Sequence, residues 1–207
     1  MKRRRLWAGL GAAAVIAGGA SVWAVQSRPD ATSLSGSDSA PTGKATRVNV
    51  LLETGLAQSR YQDREGAEST FRRVLKLDPR NKIAWYNLGV LAHQDGRATD
   101  ARDAYEKALK INPTYTSALF NEAVLLESSE PERAVQLLRR AIAVNPKAST
   151  AHLRLGLALA KKDQDDDARD SFRRAVALDP SLHSQVPEPF KDSASPSPST
   201  SQAGSTR

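Results

Sequence analysis

Small, apolar and aromatic residues recur at fixed offsets between about residues 48 and 182. Each recurrence ends in a tripeptide made of an aliphatic residue, Asp or Asn, and Pro. The four prolines are spaced 34, 33 and 34 residues apart: Pro79, Pro113, Pro146 and Pro180. A fixed period of this size is typical of stacked supersecondary units, and the β-branched runs that mark strands are absent from the sequence. The pattern predicts an all-α array of four helix-turn-helix units, 48–81, 82–115, 116–148 and 149–182.

Three further marks recur within each unit. A small residue stands 23 or 24 positions before the proline: Gly55, Gly89, Ala123 and Gly156. An alanine stands 12 positions before it: Ala67, Ala101, Ala134 and Ala168. A large apolar residue stands 8 positions before it: Phe71, Tyr105, Leu138 and Phe172. We expect the small residues to let the two helices of a unit cross closely, and the proline to end the second helix.

The second unit carries the fullest version of this pattern, AWYNLGVLAHQDGRATDARDAYEKALKINP. It resembles the tetratricopeptide repeat (TPR) family at eight positions: Trp85, Leu88, Gly89, Gly96, Ala101, Tyr105, Ala108 and Pro113. The resemblance implies a right-handed α-solenoid. The sequence departs from the family pattern at Glu122–Ala123 and in a third unit that is one residue short. After unit four the sequence offers no clear extra helix, which predicts a partly open apolar end.

The family resemblance also implies where a partner would bind. First helices of such units line a concave face, and ligands usually lie there. Carried over onto this chain, the groove residues are Leu52, Tyr86, Asn87, Val90, Phe120, Asn121, Val124, Leu153 and Arg154. A groove with an apolar floor and amide side chains suits a polypeptide segment with spaced apolar anchors.

The N-terminus has the composition of a membrane segment. A basic flank, residues 1–5, precedes an uncharged stretch, residues 6–25, which is long enough to span a bilayer as a helix. The positive flank predicts that the N-terminus stays in the cytoplasm and that the array is exported. A cleaved signal peptide is the alternative, since Val22-Trp23-Ala24 resembles a cleavage site. Residues 26–47 and 183–207 are rich in Ser and Pro and are predicted to be a disordered linker and tail.

The net charge of +7 would suit nucleic acid only if it lay on the folded array. Residues 1–47 account for +5 of it, while 48–182 hold 21 Lys or Arg against 19 Asp or Glu. We therefore expect no nucleic-acid partner. Because the chain has no cysteine, disulfides and thiol nucleophiles are excluded. No spacing of residues indicates catalysis, a metal or a cofactor.

These observations predict a non-enzymatic, membrane-anchored scaffold or adaptor that binds a protein or peptide through its groove. Two alternatives remain open. One is an assembly role by self-association into a homo-oligomer, and the other is a secreted binding protein released by signal cleavage.

Overall fold

The computed structural model describes residues 42–194, which form a stack of antiparallel helix pairs. The pairs are α1 (Thr42–Arg60) with α2 (Arg64–Leu77), α3 (Lys82–Gln94) with α4 (Ala98–Ile111), α5 (Thr116–Leu126) with α6 (Pro131–Val144), and α7 (Ser149–Ala160) with α8 (Asp165–Leu178). A 3₁₀ helix, Pro180–Gln185, and α9 (Glu188–Ala194) follow. Each second helix also packs against the first helix of the next pair. This is the all-helical repeat array that the period predicts.

Close helix crossing in three pairs depends on a glycine beneath an aromatic ring. Phe71, Tyr105 and Phe172 are fully buried, and a Cβ placed on the facing glycine would come within 2.6 to 2.8 Å of the ring. The facing glycines are Gly55, Gly89 and Gly156. In the third pair both members change together, because Ala123 and the smaller Leu138 are buried in their place.

The turn within each pair is tight. Gly96 has a φ of 73°, and the equivalent residues in the first and fourth pairs, Gln62 and Asp163, also lie in the left-handed region at 62° and 56°. The third pair is one residue shorter, and its second helix begins with Pro131 at the first helical position. Proline is preorganised for that position and has no N–H to leave unpaired there.

Two predicted boundaries differ from the structure. Helix α1 begins at Thr42, inside the segment predicted as linker, and its residue Val48 is already buried in the core. The predicted tail from residue 183 includes the end of the 3₁₀ helix and all of α9.

The prediction of an open apolar end after unit four is wrong. Leu182, Val186, Phe190 and Ala194 are buried against the last pair. The ring of Phe190 lies 5.2 Å from that of Phe172, and the guanidinium of Arg169 lies over the Phe190 ring at 5.8 Å. Residues 180–194 therefore cap the array.

The basic flank 1–5, the predicted transmembrane stretch 6–25, the linker up to residue 41 and the tail after 194 lie outside the described residues. Between residues 42 and 194, no helix combines the length and the apolar character needed to span a bilayer.

Candidate peptide-binding groove

A cavity of about 240 Å³ opens where the first helices α3, α5 and α7 lie side by side. Its lining combines two aromatic rings with hydroxyl, amide and methyl groups: Tyr86, Thr116, Ser117, Phe120, Asn121, Ala148, Thr150 and Ala151. None of these eight lining residues carries a charge. The cavity therefore suits an uncharged group with hydrogen-bonding capacity at its edge.

Tyr86 is held in place by its neighbours. The centroid of its ring lies 5.2 Å from that of Tyr115, in an edge-on arrangement, and 6.1 Å from that of Tyr105. Such aromatic pairs stabilise a fold by more than the apolar area that they bury. Its hydroxyl accepts a hydrogen bond of 3.0 Å from Nδ2 of Asn121. Burial raises the pKa of the Tyr86 hydroxyl, and the bond from Asn121 acts in the opposite direction. Tyr86 and Asn121 thus form a fixed bridge between α3 and α5 at the cavity wall.

The starts of α5 and α7 add backbone donors to the same cavity. Their N-cap residues, Tyr115 and Ala148, provide no side-chain cap, unlike Asn81, which accepts from the N–H of Ala84 at the start of α3. The first N–H groups of a helix have no partner within the helix. Those of α5 and α7 lie next to Thr116 and Thr150, so the polar edge of the cavity is rich in hydrogen-bond donors.

Of the nine predicted groove residues, Tyr86, Phe120 and Asn121 line the cavity. Val90 and Val124 are half-buried, and Val90 packs against the Ala101 and Tyr105 cluster. Asn87 donates to the carbonyl of Ile83 on its own helix at 2.8 Å. Arg154 pairs with Glu127 at 3.2 Å, which links α7 to the end of α5. The peptide-binding role of these residues stays a prediction.

Leu52 and Leu153 do not lie open in a groove. They are 9% and 4% exposed and belong to the cores at the two ends of the array. Their position in the repeat is that of Tyr86 and Phe120, but a leucine ends within the helix interface, whereas an aromatic ring reaches its edge. Equivalent positions in the repeat therefore differ in accessibility according to side-chain size.

Sequence reasoning missed the polar half of the cavity. Thr116 and Ser117 lie one helical turn before Phe120 and Asn121, and Thr150 lies one turn before Arg154. Residues four apart share a helix face. Extending each predicted groove position by one turn toward the helix start would have found these three side chains.

A second, more polar cavity of about 500 Å³ lies on the other side of the array, between α4 and α6. At its base Glu122 is fully buried. Its Oε1 accepts from Nη2 of Arg133 at 2.6 Å, whereas Oε2 has no hydrogen-bond partner among the described residues. Burial raises the pKa of the Glu122 carboxyl, although Arg133 acts to lower it.

The sequence model of the tetratricopeptide repeat family matches residues 52–116 and 124–183, more than half of the chain. The chain belongs to that family. The photosystem I assembly protein Ycf3 of Synechococcus sp. (strain CC9605) is 30% identical over 128 residues, which cover 52% of this chain and 74% of Ycf3. Other curated relatives are much longer proteins, of which this TPR chain spans only 8% to 14%.

Solved structures show the same fold. The crystal structure of MamA has a TM-score of 0.61 at 23% identity and covers 68% of this chain and 77% of MamA. The structure of YrrB, described as a TPR protein with an unusual peptide-binding site, has a TM-score of 0.60 at 21% identity and covers 69% of this chain and 77% of YrrB. At these identities the likeness concerns the fold alone.

Proposed function

We propose that this TPR protein is a scaffold that binds a segment of another polypeptide in the cavity between α3, α5 and α7. The observation that carries the proposal is the convergence of Tyr86, Phe120 and Asn121 from two helices on one uncharged cavity. The structural neighbour YrrB is described as having a peptide-binding site, which supports this class of ligand.

The chemistry of the cavity specifies the kind of segment. Tyr86 and Phe120 offer an apolar wall, while Thr116, Thr150 and Asn121 offer hydrogen bonds. An extended segment would place one uncharged apolar side chain in the cavity and its backbone carbonyls near the free N–H groups of α5 and α7. A charged side chain would lose its hydration there without gaining an ion pair.

We further propose that residues 6–25 tether the array to a membrane and that the array lies outside the cytoplasm. The support is in the sequence alone, in the four cations Lys2, Arg3, Arg4 and Arg5 before the uncharged stretch. A cleaved signal peptide would release the same array as a secreted binding protein.

Blocking the cavity tests the binding site. Ser117 and Thr150 are exposed lining residues, so Ser117→Trp and Thr150→Trp would fill the cavity without disturbing the core. Peptides selected from a displayed random library on the full chain in detergent should lose at least tenfold in affinity for either variant. Ser129→Trp is the control, because Ser129 is also exposed but lies in the turn at the far end of α5.

Each variant should unfold at the same temperature as the parent chain. A loss of binding then cannot be attributed to a loss of folding. Selected peptides that bind both cavity variants as tightly as the Ser129→Trp control would contradict the assigned site.

Protease treatment of intact cells stripped of their outer wall, together with membrane fractionation, tests the tether. Digestion of the array from outside, with the N-terminal fragment left in the membrane, is the expected result. Protection until the membrane is lysed would contradict the orientation, and recovery of the whole array free of membrane would favour signal cleavage.

A further inference from the structure

A row of cations follows the second helices of all four units. Arg73, Lys107, Arg140 and Arg174 each stand six residues before a repeat proline, on α2, α4, α6 and α8, and all four are exposed. In the part of the chain that the structure describes, none of them pairs with a carboxylate. We call these four residues the basic edge.

Contacts between units place the basic edge along the turns that join the units. Nζ of Lys107 lies 4.4 Å from the centroid of the Trp85 ring, and Nε1 of Trp85 donates to the carbonyl of Pro79 at 3.0 Å. One unit further, Nη2 of Arg140 donates to the carbonyl of Pro113 at 3.0 Å. In both cases the cation at the end of a second helix lies beside the turn that precedes its own unit, so the cations share one side of the stack.

Acidic residues also mark the opposite ends of the same helices. The first turn of each second helix is acidic, with Glu65, Asp100, Glu132 and the run Asp165–Asp167. Residues 48–182 are almost neutral in sum, but every second helix has acidic residues in its first turn and a member of the basic edge nearer its other end. Helix dipoles favour that polarity, and repetition over four parallel helices extends it along the whole array.

Aliphatic side chains accompany the cations at the last two units. Val144 and Leu178 are 44% and 41% exposed, and they follow Arg140 and Arg174 by four residues, which puts each pair on one helix face. The basic edge therefore presents cations with exposed aliphatic groups one turn beyond them.

We infer that the basic edge docks on the surface of an anionic lipid bilayer. Lysine and arginine side chains gain from the negative potential of acidic headgroups, and aliphatic groups beside them gain from shallow burial at the headgroup boundary. This contact does not require the N-terminal tether or an occupied groove. It would hold the array with the turns between its units against the membrane surface.

A nucleic acid fits the basic edge less well. Proteins that hold single strands stack bases on exposed aromatic rings, but the Trp85 ring beside the basic edge already has the Lys107 ammonium over its face. Val144 and Leu178 have no counterpart in phosphate recognition. The mixture of cations and aliphatic groups favours a lipid surface.

The test uses the full chain, which has no cysteine of its own, so that one engineered cysteine takes one dye. Thr114→Cys labels the turn before α5 on the basic side, and Ser129→Cys labels the turn after α5 on the other side. Energy transfer to an acceptor on lipid headgroups reports proximity. We expect strong transfer from the Thr114→Cys label on phosphatidylcholine vesicles that contain phosphatidylglycerol. Transfer should be weak on pure phosphatidylcholine and at about 1 M salt, where the screening length is about 3 Å.

Charge reversal supplies the decisive control. Arg140→Glu with Arg174→Glu should lower the docking constant at least about 30-fold, on the basis of the usual contribution of two cations near an acidic surface. Arg60→Glu with Lys161→Glu changes the net charge equally at the ends of the first helices α1 and α7, and should change docking less than threefold. Thermal unfolding verifies that both double variants fold.

Three results would overturn the inference. They are equal loss of docking in the two double variants, equal transfer on neutral vesicles, or no transfer from the Thr114→Cys label. Polyglutamate or an oligonucleotide that binds the full chain, and loses binding only in the Arg140→Glu and Arg174→Glu variant while vesicles give no transfer, would assign the basic edge to a macromolecular polyanion instead.

Discussion

The helix pairs α3–α4 and α5–α6 are consecutive copies of one unit, but their interiors have different chemistry. The residue before the small crossing residue is Leu88 in the first pair and the fully buried Glu122 in the second. The residue before the recurring alanine of the second helix is the exposed Asp100 in the first pair. In the second pair it is Arg133, which pairs with Glu122 at 2.6 Å. A carboxylate is tolerated inside the repeat because the second helix supplies the opposite charge at a fixed position.

The ion pairs that join these units to their predecessors are reversed in sign. Glu68 on α2 accepts from Arg72 at 2.6 Å and from Arg97, the N-cap of α4, at 2.8 Å. The equivalent residue on α4 is Arg102, which pairs with Glu106 and with Glu130, the N-cap of α6. The two junctions thus share one geometry with opposite charges, so matching signs between neighbouring units matter more than the identity of either residue.

The largest expected effect comes from removing the partner of Glu122. Arg133→Ala leaves a buried carboxylate without its counter-charge and should lower the free energy of unfolding by about 3 kcal/mol. This value is at the lower end of the range for broken buried ion pairs, because Arg133 is partly exposed. Asp100→Ala, at the same position in the preceding pair, should cost less than about 0.5 kcal/mol. Urea denaturation of both variants measures the difference, and equal losses would contradict the account of the buried pair.

The next effect concerns the crossing point. Gly89→Ala would place a Cβ 2.6 Å from two ring atoms of Tyr105, and should destabilise by about 2 kcal/mol through overpacking. Adding Tyr105→Leu copies the combination of Ala123 and Leu138 in the next unit and should recover at least half of that loss. A double variant less stable than Gly89→Ala alone would show that ring size is not what requires the glycine.

A smaller gain is expected from copying Leu88 into the third unit. Glu122→Leu removes a buried carboxylate with one unpaired oxygen, while Arg133 keeps its 2.8 Å contact with Glu106. Replacing a buried ion with an apolar group of similar volume is often stabilising, so unfolding should require about 1 kcal/mol more free energy. Differential scanning calorimetry checks this, and a clear loss of stability would mean that Glu122 is essential for packing.

The pH dependence of stability should also distinguish Glu122 from Glu68. Burial raises the pKa of the Glu122 carboxyl above its ordinary value of 4.5, so the stability linked to its protonated form is present below that value and is lost as pH rises through the folded-state pKa. The free energy of unfolding of Glu122→Gln should therefore increase relative to that of the parent chain as pH rises from about 4.5.

The Glu68 carboxyl behaves in the opposite way. Its hydrogen bond from Arg72 lowers its pKa. The parent chain therefore loses the stability linked to the ionised Glu68 as pH falls below the ordinary pKa of the carboxyl. The difference in free energy of unfolding between the parent and Glu68→Gln should shrink over the same pH range. Chemical denaturation at several pH values measures both trends, and parallel curves for the two variants would contradict these assignments.

The smallest effect lies in the reversed ion pairs. Arg97→Glu places like charges together and should cost a few tenths of a kcal/mol to about 1 kcal/mol, because both groups are partly solvated. Adding Glu68→Arg with Arg72→Glu gives the signs found at the next junction and should recover part of that cost, because Arg97 also pairs with Asp95 and Asp100. A double-mutant cycle with no coupling would show that these junction pairs do not stabilise the array.

The repeat itself was predictable from the sequence because four features share one period. Pro79 and its equivalents end the second helices, and small residues such as Gly89 lie where helices cross. The C-terminal cap was missed because Pro187 and Pro189 suggested an irregular tail. Yet Pro189 occupies the first turn of α9, where proline is tolerated. Phe190 and Ala194, four residues apart on α9, are both buried, and this pair was the readable helical signal.

The candidate site was only partly predictable. Repeat equivalence pointed to Tyr86 and Phe120, which line the cavity, but it treated Leu52 and Leu153 as the same, and these are buried in the core. The charge count likewise hid the basic edge, since a sum over residues 48–182 cannot show that Arg140 and Glu132 lie at opposite ends of one helix. Accessibility and charge distribution depend on side-chain length and helix direction, which equivalence and composition leave out.

The most direct test of the central claim is hydrogen exchange on the full chain with and without a selected peptide. We expect slowed exchange at the starts of α5 and α7, in residues 116–121 and 148–154, with little change in α4 and α6. Protection confined to α4 and α6, around the cavity at Glu122, would contradict the assignment and move the binding site to the opposite side of the array.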